Sequence, residues 1–408
     1  MSAEQRPEDP LSTQNAATPA DGELTRNPYP LFARLREASP VSVMTDDDGL
    51  QMWLMTGYDD VRAALADPRL GQDARRAREI QQRRVAGTKI GADIIHMLNS
   101  DPPDHTRLRQ LIHGAFTPGR IRAMRPMVEG IAARLLDGLA QRESADFVLD
   151  FALPLPMAVI CALLGFPNSD RDLFRRWSTD ILTDSGPDDF ARATAELVEY
   201  FEAQIAQRRA RPTDDLLTAL VESSGDGRLT EREVVAMVYL LLIGGQETTV
   251  NLLGTALLAL LKNPDQLADL RANPDILSTA VDEFLRYEAP VCMATIRFTS
   301  QPVDVRGVTI PEGELVMLSL GAANRDPKRF PDPDRLLVRR GDPGHLAFGY
   351  GIHRCLGSFL GRLEAEIALG GLLAAFPNIE LAADEAALPW RDTIMLRGLE
   401  SLPVALHG

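Results

Sequence analysis

Most of the chain reads as apolar residues at helical spacing, interrupted by Pro and Gly at Pro118-Gly119, Gly165 to Pro167, Pro212, Pro264 and Pro274. One helix is well delimited. Thr230 followed by Glu233 forms a capping box and Asn263-Pro264 stops the helix, which predicts about 30 residues, roughly 45 Å in length. Val234, Val235, Met237, Val238, Leu240, Leu241, Leu242 and Ile243 leave no polar face, so this helix should run through the interior. Its most apolar window, Met237 to Leu261, carries Gln246, Glu247, Thr248, Thr249 and Asn251 at its centre, where a bilayer would penalise the carboxylate most. Protein rather than lipid should surround it. Just before these residues, Gly244-Gly245 weakens the helix by about 1 kcal/mol per glycine relative to Ala, and something must compensate.

Strand-prone pieces are short: Pro40 to Met44 with Gln51 to Thr56, and Ala294 to Val308 with Leu315 to Leu320. The expected fold class is mainly α with small β-sheets. No repeat and no long polar linker divides the chain. Residues 1–22, MSAEQRPEDPLSTQNAATPADG, have no basic start leading into an apolar core, so they read as a disordered arm rather than a signal peptide. A single domain is expected over 23–408.

Composition narrows the function. Among 408 residues, 43 Lys and Arg face 58 Asp and Glu, for a net charge of −15, which argues against nucleic acid as the main ligand. An acidic partner would need a local basic patch. Cys161, Cys292 and Cys355 are odd in number and far apart, so no disulfide framework is expected and a reducing cytoplasm fits best.

The chemistry concentrates at 348–357, F-G-Y-G-I-H-R-C-L-G, a glycine-rich loop delivering one cysteine to the helical block Leu356 to Ala375. Amides at a helix N-terminus stabilise a thiolate, and glycines let backbone approach a flat ligand closely. A lone cysteine is more often inert and buried. Three glycines, an aromatic, a His and an Arg in fixed register set this one apart.

From about Asn27 to the C-terminus the sequence closely resembles the cytochrome P450 family in its soluble bacterial form, and 348–357 matches that family's F-G-x-G-x-H-x-C-x-G signature throughout. The resemblance implies a cytochrome P450 fold holding haem b between the long central helix and the cysteine loop. It makes Cys355 the iron ligand, with Phe348 shielding the thiolate. Gly244 to Thr249 resembles the oxygen-binding motif, with Glu247 and Thr248 at the acid and alcohol positions. Such a hydroxyl can hold water or peroxide and such a carboxylate can feed protons, although an internal Thr also bonds readily to its own helix backbone.

Three further segments carry the resemblance. Asp101 to Arg109 (DPPDHTRLR) resembles the propionate-binding helix, in which His105 and Arg109, at i and i+4, face the cofactor; Arg297 and His353 match the remaining propionate partners. Taken alone, Arg107 and Arg109 read equally well as a solvated basic face. Glu283 to Arg286 matches E-x-x-R, and Phe330 to Arg335 (FPDPDR) matches the segment supplying a second arginine, which implies a buried structural network of Glu283, Arg286 and Arg335. By spacing alone, Glu283 and Arg286 could be a surface ion pair. Leu240, Gly244, Met293, Thr295, Ile394 and Met395 fall where the family places substrate contacts, though each could be core.

The activity implied is haem-thiolate monooxygenation, hydroxylating or epoxidising an apolar small molecule such as a polyketide, macrolide or terpenoid. Electrons would come from NAD(P)H through ferredoxin and ferredoxin reductase, because the chain has neither G-x-G-x-x-G nor a Cys-rich iron–sulfur segment. Neither nucleic acid nor membrane is expected as a partner. Two other readings remain: an H₂O₂-using peroxygenase, against which Glu247-Thr248 speaks, and a non-enzymatic haem sensor or carrier, which would bind ligands without turning over.

Overall fold

The structure, a computed structural model, describes residues 16–17, 23–45, 49–84, 94–182, 186–225, 227–342 and 344–407. Helices dominate, and a six-stranded mixed sheet packs at one side. Its strand order is Ala16–Ala17, Val41–Thr45, Gln51–Met55, Leu315–Leu318, Arg297–Thr299, Leu70–Gly71. Val41–Thr45 and Gln51–Met55 pair antiparallel with Val43 opposite Trp53, and burial of both faces explains why neither strand shows clean alternation. Ala16–Ala17, inside the segment expected to be a disordered arm, pairs in parallel with Val43 and Met44; the rest of 1–22 lies outside the described residues.

A three-stranded sheet joins Glu380–Leu381, Pro403–Ala405 and Ser144–Asp146, and Val303–Val305 pairs with Val308–Ile310 as a hairpin. The first of these has no counterpart among the strand-prone pieces of the sequence, because strands of two or three residues are too short to show a period.

The central helix spans Glu231–Lys262, 32 residues. Thr230 Oγ1 accepts from the Glu233 amide at 3.2 Å and Glu233 Oε2 accepts from the Thr230 amide at 2.8 Å, completing the capping box. By length and composition it could cross a membrane, yet 56% of its most apolar window is buried by the rest of the chain. It packs on Pro154–Leu164, Leu216–Gly225 and Ser358–Ala375. The large helical core around Phe151, Leu242, Leu253 and Leu369 and the sheet core around Trp53, Val316 and Phe330 leave the site between them. Four elements meet there: the central helix, the helix Asp104–His113, the strand Arg297–Thr299 and the cysteine loop.

Candidate haem and oxygen-activation site

The cysteine loop turns on two left-handed glycines, Gly349 at φ 67° and Gly351 at φ 76°. At Gly351 the chain also passes so close to Leu65 that a Cβ would lie 2.8 Å from its carbonyl oxygen. The Cys355 amide donates to Phe348 O at 2.8 Å, which fixes the cysteine against the start of its own loop. The helix behind it runs Ser358–Ala375, so Leu356-Gly357 form a turn and the helix begins slightly later than its pattern suggests. Desolvation pushes the Cys355 thiol up, opposed by the Gly357 amide and the charges of Arg109, Arg354 and Arg362. Although deep enough to be desolvated, Cys355 still presents accessible surface, as a side chain turned to an internal space does. Phe348 packs on the helical core with the Arg362 guanidinium 4.5 Å above its ring.

Beside the cysteine, His105 and His353 rings stand 4.2 Å apart, centroid to centroid. Both ring nitrogens of His105, Nε2 of His353 and Nε of Arg297 are buried without a hydrogen-bond partner. Arg297 spends one donor on Leu70 O at 3.3 Å, and Arg109 donates to Arg354 O at 2.6 Å. Burial and mutual repulsion disfavour charge throughout: desolvation, then His105, Arg297 and Arg109, push His353 down to about 3, and desolvation pushes Arg297 down to about 10. Buried donors crowded together without an acceptor are an anion site in search of its anion. A pair of carboxylates beside a flat ring whose metal Cys355 ligates is the group this donor set fits, so His105, Arg109, Arg297, His353, Phe348 and Cys355 suit haem.

On the central helix, Gly244 is exposed, and a Cβ there would find only Leu240 Cδ1, at 3.9 Å. Thr248 Oγ1 donates to Gly244 O at 3.0 Å, the local backbone bond open to any internal Thr. Glu247 is 5% exposed and turns to Arg391, whose Nη2 lies 2.6 Å from Oε1 in an ion pair. Desolvation pushes its carboxyl up, and Arg391 pulls it back. The next residue but one, Thr249, meets the fully buried Glu364, which desolvation pushes up to about 8.

The E-x-x-R network is buried as expected, with one correction. Arg286 grips both Glu283 carboxylate oxygens, at 2.7 and 2.9 Å, and donates to the carbonyls of Asn324, Pro333 and Arg335. Arg335 supplies only that carbonyl. Its side chain is exposed, because the left-handed turn at Asp332 faces the backbone inward. The second arginine on Glu283 is Arg340, with Nε at 3.0 Å, whose other donors hold the carbonyls of Pro331, Asp332 and Arg335.

The residues at substrate-contact positions divide. Met293 is 1% exposed in a packed cluster with Tyr29, Phe32 and Met317, and Ile394 lies against the same cluster. Thr295 bonds to Gln72. Leu240 is half-buried, while Gly244 and Met395 remain exposed. Sequence reasoning missed Arg340, Arg391 and Glu364. Arg340 sits just past a matched segment in a run of arginines, a weak signal; Arg391 and Glu364 gave none.

A glycine-turned cysteine loop beside a buried cationic cradle, together with a long, glycine-weakened central helix, defines a haem-thiolate protein. Residues 173–386 match the family model for Cytochrome P450. The chain is 49% identical over 390 residues to Cytochrome P450 107B1 of Saccharopolyspora erythraea, covering 94% of this chain and 96% of that one. It is 40% identical over 396 residues to the polyketide biosynthesis cytochrome P450 PksS of Bacillus subtilis, covering 95% and 98%. The tirandamycin C-bound P450 monooxygenase TamI superposes with TM-score 0.89 at 42% identity, covering 96% and 100%. The chain belongs to the cytochrome P450 family. It is a monooxygenase that uses haem b, O₂, an organic substrate and a redox partner.

Proposed function

We propose that this monooxygenase hydroxylates or epoxidises a polyketide or related secondary metabolite in the cytoplasm, with electrons from NAD(P)H through ferredoxin and its reductase. PksS carries polyketide biosynthesis in its name, and TamI binds tirandamycin C. The observation that carries the reading is the cradle of unpartnered buried polar atoms beside Cys355. Haem, when bound, supplies the iron at which O₂ is reduced and one oxygen atom is passed to the substrate.

The chain does the rest. Cys355 would provide the thiolate ligand, and Phe348 would keep water from its sulfur. His105, Arg109, Arg297 and His353 would take the two propionates. Leu240 and Gly244 would form the approach along the central helix, where Thr248, whose hydroxyl is held on Gly244 O, would offer it to bound oxygen. Glu247 passes protons from its buried position beside Thr248. That acid and alcohol pair favours O₂ over externally supplied H₂O₂. Exposed Arg62 and Arg354 lie around the cysteine loop and suit an acidic ferredoxin, with exposed Ile352 and Phe359 as the apolar contact.

Substrate class is tested by titrating the loaded protein with macrocyclic polyketide lactones, linear polyketides and fatty acids. Displacement of water shifts the haem absorption band. A tight response to fatty acids alone would overturn the polyketide assignment.

A further inference from the structure

Glu247 and Asn251 sit one turn apart on the same side of the central helix, 5% and 1% exposed. Against them folds the C-terminal stretch from Trp390 to Leu399. Trp390 and Leu399 form an antiparallel bridge, and the Arg391 amide donates to Gly398 O at 3.0 Å. This pairing delivers two residues to two targets. Gly398 is pressed on Asn251 so closely that a Cβ would fall 2.0 Å from Oδ1. Arg391 stands over Glu247, Nη2 to Oε1 2.6 Å.

Both amide atoms of Asn251 and Nε of Arg391 are buried with no hydrogen-bond partner, alongside the Glu247–Arg391 ion pair. These three atoms and the Glu247–Arg391 ion pair form a polar column inside an apolar helix packing, the setting in which ordered water binds. Its outer end is open: the Arg391 side chain is 15% exposed and its neighbour Asp392 is exposed.

We propose that Arg391 is a positioning residue for oxygen activation, holding the Glu247 carboxylate at the head of a polar column that carries protons from solvent toward Thr248. The inference rests on Glu247 acting as the acid. The productive reaction is RH + O₂ + 2e⁻ + 2H⁺ → ROH + H₂O, and the wasteful one is O₂ + 2e⁻ + 2H⁺ → H₂O₂. Electron and proton counts are the same, so the outcome depends on where and when the protons arrive. Arg391 fixes that by opposing the desolvation of Glu247 and by linking it to the surface.

The test compares wild type, Arg391→Met, Arg391→Lys, Glu247→Gln and the Arg391→Met/Glu247→Gln double variant, all loaded with haem. The probe substrate is a macrocyclic polyketide lactone chosen by its shift of the haem band. Arg391→Met should raise the peroxide-to-product ratio by on the order of 10-fold and enlarge the solvent deuterium isotope effect on kcat. Haem content and the lactone's spectral Kd should stay unchanged, and Arg391→Lys should recover most of the coupling. In the Glu247→Gln background, Arg391→Met should add nothing. If Glu247→Gln uncouples while Arg391→Met keeps the wild-type ratio, the role of Arg391 is overturned and that of Glu247 stands. If Glu247→Gln is itself silent, both fall. Equal losses from Arg391→Met in the two backgrounds would make its contribution structural and reject the inference.

Discussion

Thr248 and Glu247 are neighbours in sequence, but a helix turns successive residues about 100° apart, and they meet different surroundings. Thr248 keeps its hydroxyl on Gly244 O, at the open face, while Glu247 is sunk against Arg391. Removing the hydroxyl without changing the shape isolates its part. Thr248→Val should bind the substrate and haem as wild type does, yet make less product and more H₂O₂ per NADPH consumed; unchanged coupling would take Thr248 out of the reaction. Glu364 carries a prediction about pH. Burial raises its carboxyl from 4.5 to about 8, so between those values the folded protein keeps a proton that the unfolded chain releases. Its contribution therefore becomes unfavourable as pH rises through this window. Glu364→Gln, which stays neutral, should raise Tm more at pH 8 than at pH 5, by the equivalent of about a few kcal/mol at most. An equal Tm change at both values would mean that Glu364 is charged in the fold.

The cysteine loop and the E-x-x-R helix show what an element reveals in its sequence. The loop was legible because each residue has a local duty: Gly349 and Gly351 adopt left-handed backbone, and Cys355 closes on Phe348. The central helix was legible for the same reason, since its cap and stop are written within a few residues of its ends. The second arginine of the Glu283 network was misread. A matched hexapeptide ends at Arg335, but the turn at Asp332 points the Arg335 side chain outward and leaves Arg340 to reach Glu283. Arg391 was invisible because only the pairing of two distant backbone segments brings it to Glu247. Single variants separate the arginines. Glu283→Ala and Arg340→Ala break a buried charged network and should cost about 3 to 5 kcal/mol, giving haem-poor or aggregated protein. Arg335→Ala should change Tm within the small range of a surface substitution. A destabilised Arg335→Ala beside a stable Arg340→Ala would reverse the assignment.

Across the whole molecule, charge is distributed against its average. The chain carries −15, yet Arg109, Arg354 and Arg362 all act on the Cys355 sulfur and belong to its side of the fold. Arg362 is not free for a partner: it donates to Asp282 at 2.8 Å and covers Phe348. Docking of an acidic ferredoxin should therefore depend more on Arg62 and Arg354, and Arg354→Gln should slow reduction more than a similar change on the opposite face. Reduction should also slow as salt rises, since exposed charges are screened within about 8 Å at physiological ionic strength. A rate indifferent to salt would remove electrostatic steering.

Haem-thiolate chemistry in this molecule depends on Cys355 as the iron ligand, held by its loop beside the cationic cradle. The direct measurement is the absorption spectrum of the reduced protein under CO. Thiolate ligation gives a band at about 450 nm, from which the family takes its name, and neutral ligands give one at shorter wavelength. Wild type should show that band, and Cys355→Ser should bind haem without it. A Cys355→Ser protein that kept the 450 nm band would contradict the assignment.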